Sequence, residues 1–314
     1  MICTLTVISI GASIGARAQS CSFSVTNLDF GTVDLTTGTP FTTTGTFSAT
    51  CTGTPNDEIR ACPNFGAGTG GVASGGDPRY MLNGANQLQY NIFKKSNFSD
   101  VWGSHLWPYA PLPPELKIKL DNTGAGSAAR TIYAEIYGSQ ATLPVGPYIS
   151  LFSGADSLIS YAYESFVNCT TIGSMNGVSV PFVVQAANIS SCLVSASTLD
   201  FGTAGALTSN VDTTNSIDVT CTLGTTYQIG LSGGNAAAAD PTQRKMSFGA
   251  TDITYGIYSN AAYTLPWGDT LGTNTVAGTA TGTVQSYTAY GRVPVQPTPL
   301  PGTYTDSIVV TVTY

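Results

Sequence analysis

The sequence predicts an all-β protein made of two β-sandwich domains in tandem, the second lacking its closing strand. Composition, an internal repeat and the unequal ends of the two repeat copies carry this reading. Charged residues make up 9% of the 314 residues, well under the roughly 25% usual for soluble domains. The polar surface is therefore Ser, Thr, Asn, Gln and Gly. There are 35 Gly and 16 Tyr, and short alternating runs are divided by Gly, Pro, Asn and Thr, the pattern of a sandwich. The length allows two domains, each able to bury a core.

Residues 1–18 read as a signal peptide: Ile2 to Ile14 is apolar and small, and Ala16-Arg17-Ala18 fits an A-x-A cleavage site. No Lys or Arg precedes the apolar run. No later segment reaches the ~18 apolar residues of a membrane span. Net charge is −7 with scattered cations, which argues against a nucleic-acid partner.

The repeat sets the domains. CSFSVTNLDFG (21–31) returns as CLVSASTLDFG (192–202), and Phe47-Ser48-Ala49-Thr50-Cys51-Thr52 as Ile217-Asp218-Val219-Thr220-Cys221-Thr222. Further along, Tyr90-Asn91-Ile92-Phe93 matches Tyr255-Gly256-Ile257-Tyr258, Trp102-Gly103 matches Trp267-Gly268, and Tyr137-Gly138 matches Tyr290-Gly291. The domains are read as 19–187 and 190–314, with Ala186-Ala187-Asn188-Ile189 as a short linker. Outside the signal six cysteines remain, an even number that in an exported chain means disulfides. The repeat selects Cys21–Cys51 and Cys192–Cys221 from 15 possible pairings and leaves Cys62 with Cys169. A zinc site lacks support, since no C-x-x-C occurs and His105 is the one histidine.

The copies end differently. The first continues past Cys169 into a run in which Val178, Val180, Phe182, Val184 and Ala186 share one face, a candidate closing strand. The second reaches Tyr314 at the end of the matching strand, with Ile308, Val310, Val312 and Tyr314 on one face. Its open edge is expected to accept a strand from another chain, because an unfilled edge exposes backbone and core. Few residues separate the cleavage site from Cys21, so the chain is expected to accept a strand without donating one, and to sit at one end of a polymer.

The C-x(n)-Leu-Asp-Phe-Gly opening, the Thr-Cys-Thr strand and the Tyr-x-Ile and Trp-Gly pair, twice and in order, with a closing Asp-Ser-hydrophobic strand in each copy (Tyr-x-Asp-Ser in the second), resemble the spore coat protein U domain family of archaic chaperone–usher pili, including the Csu type. The resemblance implies two immunoglobulin-like (pilin-type) β-sandwich domains in tandem, the C-terminal one incomplete and completed by a donor strand. It implies a tip adhesin exported through the periplasm to the cell surface, with a periplasmic chaperone, an outer-membrane usher and an adjacent pilin subunit as partners. It also implies distal hydrophobic loops that bind abiotic surfaces and promote biofilm.

Three apolar loops are the surface-binding candidates. Trp102 and Tyr137 are 35 positions apart, and Trp267 and Tyr290 are 23 apart. The excess falls in 104–114, which carries Leu106, Trp107, Tyr109, Leu112 and four prolines. Proline stiffens such a loop and lowers the entropy cost of holding apolar groups outward. Trp107 is the leading candidate there, whereas Trp102, repeated as Trp267, is expected to be structural. Pro40 and Phe41 mark a second loop and Leu143 and Val145 a third. The Gly-rich stretch 64–71 reads as a flexible surface loop. A host surface read through a lectin-like glycan pocket, or a purely structural coat or pilus role, are the alternatives. One His, no G-x-S-x-G and sparse carboxylates nominate no catalytic residue, and no cofactor motif is found.

Overall fold

The computed structural model describes residues 18–163 and 167–314. The predicted signal peptide, 1–18, lies outside the described residues except for Ala18. The first copy of the repeat forms strands β1 (Ser20–Val25), β2 (Leu28–Val33), β3 (Phe41–Thr52), β4 (Glu58–Pro63), β5 (Arg79–Asn83), β6 (Asn86–Phe93), β7 (Leu116–Lys119), β8 (Ala125–Ile136), β9 (Gly146–Phe152), β10 (Leu158–Ala162), β11 (Val178–Ser179) and β12 (Phe182–Asn188). They make an eight-stranded sheet in the order β1-β3-β8-β6-β5-β9-β12-β2 and a four-stranded sheet in the order β11-β10-β4-β7. A short helix α1 (Cys169–Ile172) lies between β10 and β11.

The second copy forms β13 (Cys192–Ala196), β14 (Val211–Cys221), β15 (Thr226–Leu231), β16 (Arg244–Phe248), β17 (Thr251–Tyr258), β18 (Val276–Thr279), β19 (Gln285–Val293) and β20 (Val310–Thr313). Its sheets run β13-β14-β19-β17-β16 and β18-β15-β20.

Alternation places the cores. In β3, Phe47, Ala49 and Cys51 point inward, and in β8 Ile132, Ala134 and Ile136 meet them. Ile217, Val219 and Cys221 of β14 do the same for a second core. All three expected disulfides form. Cys21 lies directly opposite Cys51 in the β1–β3 ladder, and Cys192 opposite Cys221 in β13–β14.

The two copies share a buried polar device. Arg79 is fully buried and donates to the carbonyls of Gly66, Phe65 and Trp102. Arg244 is equally buried and donates to those of Ser232, Leu231 and Trp267. Trp102 Nε1 in turn donates to Pro63 O, and Trp267 Nε1 to Ile229 O, both at 2.8 Å. Burial pushes the Arg79 pKa down to about 10, so the guanidinium stays charged at neutral pH and its donors stay in use. Trp102 and Trp267 are structural, as their repetition suggested.

Two expectations are corrected. Residues Ala186 to Asn188 are not linker: they belong to β12, with Ala186 and Asn188 buried. The joint is shorter and hydrogen-bonded, with Ile189 N donating to Val33 O and Thr222 Oγ1 to Ile189 O. The stretch 64–71 is not a flexible surface loop either. Phe65 is fully buried, stacked on Trp102 at 4.9 Å, and a Cβ on Gly70 would sit 1.6 Å from Tyr80 O.

Candidate functional site

The site is defined by what β12 does in the first sandwich. This strand lies between β9, antiparallel, and β2, parallel, and β11 extends the same run along the edge of β10. Phe182, Val184, Ala186 and Asn188 face inward and are buried. Phe182 stacks on Phe152 at 4.5 Å and tilts against Phe65 at 4.8 Å. Three polar contacts hold the strand in place. Asn27 Oδ1 accepts from Val183 N, Asp29 Oδ2 accepts from Gln185 Nε2, and Asn188 Nδ2 donates to Leu143 O and Pro144 O. The alternating run is therefore the closing strand, with Val178 at its exposed start.

The second sandwich has the same flanking segments with no strand between them among the described residues. Asp200 caps Gly202 N as Asp29 caps Gly31 N, and Thr213 bonds Asp200 O as Thr43 bonds Asp29 O. On the other side, Tyr304 Oη donates to Leu300 O as Tyr148 Oη does to Pro144 O. Thr305 bridges Ser247 of β16 as Ile149 pairs with Leu82 of β5. Between these two segments runs a groove of two adjoining cavities, about 670 and 420 Å³, walled by Leu199, Phe201, Met246, Tyr255, Tyr304 and Ile308. Leu28 is fully buried under β12, whereas its counterpart Leu199 is half-buried. Asp306 reaches the groove floor and accepts the Tyr255 hydroxyl at 2.7 Å. Burial, and then this carboxylate, push the Tyr255 phenol far above its ordinary value. The lining is thus largely apolar, with the satisfied Tyr255–Asp306 pair and a buried Asn215 Oδ1 that has no hydrogen-bond partner among the described residues.

Of the predicted acceptor residues, Ile308 and Val310 line this groove. Val312 is half-buried against the second core. Tyr314 is 58% exposed and lines a separate shallow depression beside Tyr227 and Thr279, so it does not share the groove with the others.

The predicted surface-binding residues separate into two places. Ser139 N bonds Gly38 O, which brings loop 37–41 and loop 141–147 together. Both lie at the end of the first sandwich that meets the second: Pro144 bridges Leu223, and Thr142 abuts Gly282. Pro40 and Val145 are exposed there, while Phe41 and Leu143 pack on the first core. The opposite, free end is polar, closed by Gly53 N to Gly124 O and Asn56 N to Asp121 O. Loop 104–114 stands apart, between β6 and β7. In it Leu106 and Leu112 are exposed, at 39% and 44%. Trp107 folds back, its ring 4.8 Å from the Arg79 guanidinium carbon and its Nε1 bonded to Pro111 O, with Tyr109 edge-on at 5.3 Å. The three loops thus do not form one distal cluster, and Trp107 is a packing residue more than a projecting one.

The paired arginines escaped the sequence reading. The signal was present, since Arg79-Tyr80-Met81 and Arg244-Lys245-Met246 repeat Arg-x-Met in a chain with 11 cations. Among the described residues no cluster of His, Cys, Asp and Glu is placed to hold a metal, and no helix is long and apolar enough to cross a membrane.

The family described as Spore Coat Protein U domain matches this chain over residues 8–153 and again over 178–311. The chain belongs to that family. Each matched stretch holds the body of one copy of the repeat, the second beginning at β11 of the first sandwich, so this Spore Coat Protein U chain carries the unit twice. Among solved structures, the complex of the chaperone CsuC with the tip subunit CsuE, from archaic chaperone–usher Csu pili of Acinetobacter baumannii, is similar. It covers 94% of this chain and 100% of its own, at 14% identity and a TM-score of 0.55, a likeness of fold. The CupB6 tip adhesin of Pseudomonas aeruginosa covers 93% of each chain at 12% identity and a TM-score of 0.37. A comparison with curated proteins finds no match in sequence.

Proposed function

We propose that this Spore Coat Protein U protein is the tip adhesin of a chaperone–usher pilus, with an adhesin domain over 19–187 and a pilin domain over 190–314. The observation that carries the reading is the groove between 198–203 and 303–309, at the place where β12 closes the first sandwich. A sandwich open there exposes core and unpaired backbone, and strand addition from another chain removes both costs together. A periplasmic chaperone would fill the groove first and the adjacent pilin subunit later, the usher exchanging them as the fibre passes to the cell surface. The likeness of fold to a tip subunit solved in complex with its chaperone supports the chaperone as partner.

The adhesin domain keeps its own closing strand and is free to carry the contact surface. In that role Leu106 and Leu112, exposed on a proline-rich loop that the pilin domain lacks, meet an apolar surface and promote attachment and biofilm. Each buried side chain contributes about 1.5–3 kcal/mol before binding costs. Pro40 and Val145, beside the joint, are secondary contacts.

A graft tests the acceptor role. β20 ends at the same end of its sandwich as β10, so a copy of residues 177–188 joined to Tyr314 by a flexible Gly/Ser linker can reach the groove. The fused protein is expected to show a distinct, higher-melting second transition. A second transition unmoved by the graft would contradict the reading.

A further inference from the structure

This inference rests on the acceptor reading above and concerns the chemistry of the strand accepted. We propose that the groove of the second sandwich selects its strand by two polar pins as well as by apolar alternation. In β12 the sequence from 182 to 188 is Phe-Val-Val-Gln-Ala-Ala-Asn. Phe182, Val184 and Ala186 fill the core, and Gln185 and Asn188 carry side-chain amides that bond fixed acceptors. Both acceptors have counterparts beside the open groove. Gln185 meets Asp29, whose counterpart Asp200 keeps the same bond to the glycine two residues on. Asn188 meets the carbonyls of Leu143 and Pro144. Leu300 stands where Pro144 does, four residues before the tyrosine that bonds its carbonyl.

Apolar alternation excludes a slip of one residue but not of two, because side chains alternate with period two and a two-residue slip presents apolar groups to the same floor. The pins remove that degeneracy. A strand shifted by two places carries both amides away from Asp200 and from the Leu300 carbonyl, and a reversed strand cannot place both. The partner is thus a strand of the form large apolar, any, apolar, donor, small, any, amide. It runs parallel to 198–203 and antiparallel to 303–309, as β12 runs between β2 and β9.

The pockets agree with a large leading residue. Leu231 lines the groove. Its counterpart Phe65, which like Leu231 gives its carbonyl to the buried arginine, packs against Phe182 in the first sandwich. The smaller leucine leaves more room there than the first sandwich gives its own phenylalanine.

The test uses the full chain and synthetic peptides of residues 177–189, followed by fluorescence anisotropy. Hydrogen exchange at 198–203 and 303–309 locates the bound peptide, so that exchange with the chain's own β12 is recognised. The unaltered peptide is expected to bind and protect both segments. Peptides with Gln185→Leu or Asn188→Leu are expected to bind about three- to tenfold more weakly each, the scale of one net hydrogen bond, with protection spread over shifted registers. Equal affinity and an unchanged protection pattern for the doubly substituted peptide would overturn the pins while leaving strand acceptance intact. Failure of every peptide to bind would overturn strand acceptance itself.

Discussion

Arg79 and Trp107 show how single residues work in this chain. Arg79 spends its donors on the carbonyls of Phe65, Gly66 and Trp102, which have no ladder partner of their own. An acceptor left buried and unmet costs about 1–3 kcal/mol, so Arg79→Met is expected to lose about 3 kcal/mol or more in urea denaturation. A loss within 0.5 kcal/mol would contradict the assignment. Trp107 covers that guanidinium, so Trp107→Ser is expected to weaken the fold, whereas Leu106→Ser with Leu112→Ser should leave the melt unchanged. If the exposed leucines carry adhesion, that double variant lowers attachment of assembled fibres to polystyrene. Unchanged attachment would remove loop 104–114 from the contact surface. Sequence could not separate these cases: Trp, Leu and Pro in one loop look alike whether the ring projects or folds back, and the buried cation that attracts it sits 28 residues away.

At the scale of elements, much was legible because the repeat doubled every signal. Cysteine pairing followed from matched spacing, and the closing strand from its alternation. What stayed hidden depends on contacts distant in sequence. Residues 64–71 read as a loop because glycines suggest freedom, yet Gly70 is required there by the close approach of Tyr80 O. Ala187 and Asn188 read as linker because alanine and asparagine carry little strand signal, although Ala186 already stood in the alternating run. β9 and β2 on either side of them supply it. The Cys62–Cys169 bridge ties α1 to β4 just ahead of the closing strand. Cys62→Ser with Cys169→Ser is expected to destabilise the first sandwich by about 2–5 kcal/mol, measured by differential scanning calorimetry. An unaltered first transition would show that the bridge holds nothing the strand does not hold alone.

The whole molecule is two versions of one sandwich, one closed by its own strand and one with a groove. They are joined through Ile189 to Ser191 and by the Pro144–Leu223 contact. In the proposed role at a fibre tip, tension would enter the first sandwich along β12 and meet Cys169 before it could unravel the body. The bridge shields a sequence separation of 107 residues, about 360 Å of extended chain at roughly 3.4 Å per residue. Single-molecule stretching of the oxidised chain is expected to lack that length, and the double serine variant to release it. Equal contour lengths would place the load elsewhere.

The same place is closed in one sandwich and open in the other. Amide hydrogen exchange on the intact chain reads this out, comparing 28–33 and 146–152 with 199–204 and 302–308. Slow exchange is expected in the first pair, fast exchange in the second, and slow exchange in both once a strand is supplied. Equal protection of both pairs in the chain alone would contradict it.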